Sequence, residues 1–130
     1  MEIFLFMSKK RILVVDDEED LTWTISKHLY RNGNREKREI LCANSGRIAL
    51  KILNEKKVDL VLTDLRMPEI NGYELLDYLA KSYPETKVIV MTAFGTTELE
   101  SKLSNMSVLG YIEKPFEINE LRNMVENVLI

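Results

Sequence analysis

A chain of 130 residues, 45% hydrophobic and 30% charged, is long enough for one domain around one core and too short for two. Its formal net charge of -3 gives no electrostatic reason for this chain itself to contact nucleic acid. A single cysteine, Cys42, excludes an internal disulfide framework; it favours a reducing, cytoplasmic setting and is expected to pack as a small apolar residue.

The first seven residues are apolar at six positions, too short to span a bilayer and without a basic stretch before them, so no membrane association is expected. Residues 1–8 read as an N-terminal extension, disordered or derived from an upstream start, ahead of a single domain over 9–130. Ile12, Leu13, Val14 and Val15 form an apolar run that stops on Asp16 and Asp17, the pattern of a buried strand ending at a sheet edge. Leu21, Ile25 and Leu29 then recur at helical spacing, with Asp20 as the expected cap and Gly33 near the end. The mixed-charge run from Asn32 to Glu39 reads as a solvated loop, and Ile40 to Ala43 as a weak second strand. Ser45 can cap a second helix whose Ala49, Ile52 and Leu53 share one face.

The third strand, with Leu60, Val61 and Leu62, ends near Asp64 because Pro68 cannot continue a ladder. Asn71 with Glu74 has the form of a capping box, followed by Leu75, Leu76 and Leu79 on one face and a stop before Pro84. Val88 to Met91 run into Thr92 as a fourth strand. Thr97 and Glu100 then begin a helix carrying Leu99, Leu103 and Met106. Tyr111, Ile112 and Glu113 run into Lys114, and Ile118, Leu121, Val125 and Val128 define the last helix. Five alternating strand and helix units predict an α/β fold, a parallel sheet covered on both faces, because right-handed crossovers place helices on either side.

Four strand ends therefore present the acids Asp16, Asp17 and Asp64, the hydroxyl of Thr92 and the amine of Lys114. Oxygen donors on a rigid edge suit a hard divalent cation, and magnesium is the natural candidate. The plainer reading, acids favouring the N-terminus of the first helix through its dipole, accounts for Asp16 and Asp17 but not for Asp64 or Lys114. Clustered carboxylates repel one another unless a cation and a lysine compensate them.

The set Val15-Asp16-Asp17, Thr63-Asp64-Leu65-Arg66-Met67-Pro68 with Asn71-Gly72, Met91-Thr92-Ala93, and Tyr111-Ile112-Glu113-Lys114-Pro115-Phe116 resembles the receiver domain of two-component response regulators, the CheY-like family, over about residues 9–130. The resemblance implies a flavodoxin-like, doubly wound five-stranded sheet in the order 2-1-3-4-5 with five helices, and a site at the switch point between strands one and three. It makes Asp64 the acceptor of a phosphoryl group from a histidine kinase or phosphotransfer protein. Asp16, Asp17, Asp64 and the backbone carbonyl of Arg66 become magnesium ligands, Asp16 through a bound water. Lys114 pairs with the acceptor and then the phosphoryl oxygens, Thr92 binds one of those oxygens, Tyr111 is the aromatic switch, and Lys114-Pro115 is a cis peptide. The face made by helix 4, strand 5 and helix 5 of the predicted series then meets an output domain or partner protein, with homodimerisation on phosphorylation among the outcomes.

Two other functions compete with this one, the second of them on the same fold. A magnesium-dependent phosphatase or phosphotransferase with Asp64 as nucleophile lacks a second Asp two residues further on and room for a substrate cap. A flavin or nucleotide module would need glycines and backbone amides after the first strand, where this chain carries acids.

Overall fold

The computed structural model describes residues 9–30, 37–93 and 108–129. Strands β1 (Lys10–Val15), β2 (Arg38–Ala43), β3 (Leu60–Asp64), β4 (Lys87–Thr92) and β5 (Gly110–Glu113) form one parallel sheet in the order β2-β1-β3-β4-β5. Helices α1 (Glu19–Leu29), α2 (Gly46–Glu55), α3 (Gly72–Ser82) and α4 (Ile118–Leu129) are the four among the described residues. The sequence predicts five; the remaining one, carrying Leu99, Leu103 and Met106, lies outside the described residues.

Strand alternation divides the core in two. Leu13, Val15, Val61, Val88 and Val90 pack with Ala49 and Leu53 of α2 and with Leu75, Leu76 and Leu79 of α3. The intervening Ile12, Val14, Leu60, Leu62, Ile89 and Met91 pack with Ile25 and Leu29 of α1 and with Leu121 and Val125 of α4. A strand buried on both faces reads as a continuous apolar run, which is why β1, β3 and β4 are plain in the sequence. The register sets Val15 beside Ala43 and Thr63, Asp64 beside Met91, and Thr92 beside Glu113, so the carboxyl ends of the strands lie along one edge.

Helix starts follow local chemistry. Ser45 accepts a hydrogen bond from Ile48 N at 3.1 Å. Asn71 Oδ1 accepts from Glu74 N at 3.0 Å while Glu74 Oε1 accepts from Asn71 N at 3.5 Å, completing the expected capping box. Asn71→Ala is therefore expected to lower stability by about 1 kcal/mol, read as a shift in denaturant midpoint at constant slope; an unchanged midpoint would show that the cap contributes nothing net.

Three expectations are corrected. Asp20 does not cap α1: the cap position is Glu18, with no side-chain cap bond, and Asp20 sits inside the first turn, where its charge favours the dipole. The charged stretch before the second strand is only partly loop, because β2 begins at Arg38. That side chain is buried, donating to Leu29 O at 3.2 Å and to Glu126 Oε2 at 2.7 Å, so an ion pair draws a charged residue into the sheet. Cys42 is exposed on the edge strand β2, not packed as a core residue; its thiol lies 3.5 Å from Thr22 O, and partial burial pushes its pKa up.

Candidate functional site

The acids arrive by strand geometry. Asp16 lies two residues beyond Val14, Asp64 two beyond Leu62 and Lys114 two beyond Ile112, and all three leading residues pack on the α1 and α4 side of the sheet. Because side chains alternate along a strand, the three charged groups are carried to the same side, one step past the core. Carboxylate oxygens of Asp16, Asp17 and Asp64 all lie within 4.8 Å of one another.

Lys114 Nζ bridges two of them, donating to Asp16 Oδ2 at 2.6 Å and Asp64 Oδ2 at 3.0 Å, with Glu18 Oε1 at 3.8 Å. Each other oxygen of the bridged pair takes a backbone donor: Glu18 N gives to Asp16 Oδ1 at 2.9 Å and Arg66 N to Asp64 Oδ1 at 3.2 Å. Asp16 is fully buried, Asp64 nearly so, and Asp17 exposed. Burial pushes the Asp16 carboxyl above its ordinary range, against the pull of Lys114. Burial alone would lower Lys114, but its hydrogen bonds and charge interactions with Asp16 and Asp64 win and raise it. The lysine is thus held charged between two acids.

The loop after β3 is fitted closely to the end of that strand. Glu69 has a positive φ of 65°, and a Cβ on Gly72 would come within 2.5 Å of Leu65 Cα and closer still to Asp64 O, so only glycine lets α3 start there. Gly72 N donates to Leu65 O at 3.0 Å, closing the loop that contains Arg66. Thr92 is buried at the end of β4, and its carbonyl accepts from Lys114 N at 2.7 Å, joining hydroxyl and lysine through the main chain. Tyr111 is half-buried against the apolar cluster under α2 and α3, and Lys114-Pro115 is a cis peptide.

The donor set fits a hard divalent cation: oxygen atoms only, a carboxylate group with more negative charge than one lysine offsets, and one acid exposed enough to be reached. Asp16, Asp17 and Asp64 are the residues that could hold it. Sequence reasoning overlooked Asn44, whose amide nitrogen donates to Asp16 O at 2.8 Å and Thr22 Oγ1 at 3.0 Å. The asparagine pairs with residues far away in the chain, so no local pattern announces it.

The model of the response regulator receiver domain family matches residues 12–126. The regulatory protein AtoC of Escherichia coli (strain K12) is 35% identical over 119 residues, covering 92% of this chain and 25% of its own length. Sporulation initiation phosphotransferase F of Bacillus subtilis (strain 168) is 30% identical over 123 residues, covering 95% of this chain and 96% of its own. The solved non-phosphorylated HemR receiver domain from Leptospira biflexa has a TM-score of 0.83 at 27% identity, covering 93% of this chain and 94% of that one. This chain spans about a quarter of the length of AtoC and of several other curated relatives. No described helix is long and apolar enough to cross a membrane.

Proposed function

We propose, because this chain belongs to the response regulator receiver domain family, that Asp64 is the phosphoacceptor through which it works as a signalling switch. A receiver domain is a phosphoacceptor switch of a two-component system, and the reading as a phosphatase with its own substrate is not favoured. The observation that carries the residue assignment is the position of Lys114 Nζ, 3.0 Å from Asp64 Oδ2 inside a group of three carboxylates.

In the proposed step a carboxylate oxygen of Asp64 attacks phosphorus, the bond from phosphorus to the donor's leaving atom breaks, and the donor departs with that electron pair. Lys114 stays charged and meets the negative oxygens of the arriving group, so the site is electrostatically ready before the donor binds. The Arg66 amide holds Asp64 Oδ1 and fixes the carboxylate plane. Asp16, Asp17, Asp64 and the Arg66 carbonyl would hold magnesium, which when bound would neutralise charge on the transferred group. The Thr92 hydroxyl binds one phosphoryl oxygen, Tyr111 follows, and the face of helix 4, strand 5 and helix 5 of the predicted series changes its affinity for a partner.

This proposal takes residues 9–130 as the receiver with five helices, and residues 1–8 as an extension. It takes a histidine kinase or phosphotransfer protein as the donor, an output domain or partner as the reader, homodimerisation as one consequence, and the cytoplasm as the compartment. The test is incubation with acetyl phosphate, with magnesium or with chelator, followed by peptide mapping of the hydroxylamine-labile product. The expected result is magnesium-dependent label on the peptide containing Asp64; label confined to another peptide would overturn the assignment.

A further inference from the structure

We infer that Asn44 is a positioning residue for the divalent cation, acting by fixing the backbone that carries Asp16 and Asp17. The inference rests on the magnesium reading above and extends it to a residue outside the acidic group. Asn44 follows the last residue of β2 and reaches across to the end of β1. Because a carbonyl can only accept, the amide nitrogen must face Asp16 O, 2.8 Å away. The second contact of that nitrogen is Thr22 Oγ1 at 3.0 Å, and the Thr22 hydroxyl in turn donates to Glu19 O at 3.0 Å. Thr22 is 2% exposed, so the hydroxyl at the centre of this chain of bonds is not exchanged with water at little cost.

Asp16 is thereby held on both sides of its peptide by adjacent residues of another strand end. Its N–H donates to Ala43 O at 3.1 Å and its carbonyl accepts from Asn44. On the far side Glu18 N closes onto Asp16 Oδ1 at 2.9 Å, while Glu18 O accepts from Thr22 N at 3.2 Å. Asp17 lies between these two pinned residues, exposed, and the backbone they define sets the direction of its Cα–Cβ bond. Without the Asn44 amide the turn retains Asp16 N–H to Ala43 but loses the bond that fixes the following peptide, and Asp17 must be ordered anew each time a cation binds. Groups that orient ligands from outside the donor set typically alter metal affinity by roughly 10- to 100-fold when removed.

The experiment is a magnesium titration of the full chain followed by the amide shifts of Asp17 and Glu18, with the urea midpoint measured in chelator beside it. Asn44→Ala is expected to bind magnesium about tenfold more weakly than wild type. The Thr22 pair separates hydrogen bonding from packing should Asn44→Ala fail to fold. Thr22→Ser keeps the hydroxyl and gives up a methyl, so the urea midpoint falls while affinity holds; Thr22→Val keeps the volume and loses affinity. Asn44→Ala within about twofold of wild type, or Thr22→Val and Thr22→Ser with equal affinity, overturns the inference. A wild-type chain with no saturable magnesium response overturns the metal reading itself, and this inference with it.

Discussion

Asp64→Asn is expected to lower acetyl phosphate labelling by at least about a hundredfold, a barrier difference of roughly 2.7 kcal/mol or more. Two other carboxylates lie within reach of the same cation, so the size of the loss measures how far position alone selects the nucleophile. Asp16 is fully buried, whereas Asp64 keeps 7% exposure, so Asp16 offers an incoming donor no line of attack. Asp17 is exposed, but the lysine contacts its neighbours Asp16 and Asp64, so a phosphoryl group on Asp17 would not gain the same counter-charge. The amide of the variant keeps the shape and an acceptor for Arg66 N while losing the charge that makes an oxygen nucleophilic. Intact-mass measurement with saturating magnesium decides it: residual label above a tenth of wild type, or transfer of the label to Asp17, would show that the site chooses its acceptor less strictly than this geometry requires.

Lys114→Met is expected to cost about 3 kcal/mol of stability in magnesium-free buffer near neutral pH, because removing one partner of a buried pair leaves uncompensated charge. The lysine serves two carboxylates at once, and Asp16 has no access to water. The pH dependence follows from sign. Burial already lifts the Asp16 carboxyl above its ordinary range, and losing the lysine lifts it further. A carboxyl whose folded pKa exceeds its unfolded value destabilises the fold when ionised, and that penalty vanishes below the unfolded pKa of about 4. The deficit of the variant should therefore shrink as pH falls from neutral toward about 4, and magnesium at neutral pH should recover part of it. Urea titrations across that range provide the measurement; a deficit independent of pH would mean that the lysine contributes by packing its stem and not by its charge.

Much of this site was legible because period-two alternation is rigid. Once Val14, Leu62 and Ile112 are read as core residues of parallel strands, Asp16, Asp64 and Lys114 must emerge on the same side, and sequence spacing suffices to bring them together. The capping box at Asn71 and the cap at Ser45 were legible for a similar reason, since their partners lie three residues away. Features that depend on distant partners were not. Arg38 is in a run whose composition says loop, and its burial is made tolerable by Leu29 O and by the charge of Glu126, 88 residues on. Asn44 and Asp16 are 28 residues apart, and the exposure of Cys42 depends on β2 being the sheet edge, which strand order and not local pattern decides. Asp20 was misread for a subtler reason: several acids in a row make the helix start ambiguous by a residue or two.

The ion pair between Lys114 and Asp16 spans 98 residues, and that separation bears on how the chain is made as well as how it works. During synthesis β1, β3 and their acids leave the ribosome long before the lysine exists. The nascent chain can pair β1 with β2 and β3 and bury apolar surface, but it does so with Asp16 and Asp64 facing each other across the unfinished edge. Local packing and electrostatics disagree until β5 docks on β4, so a partial fold would be frustrated at this group of acids. On the proposed assignment, Asp64 gains its counter-charge only once β5 has docked and brought Lys114 to the acids, so chemical competence would follow the docking of β5.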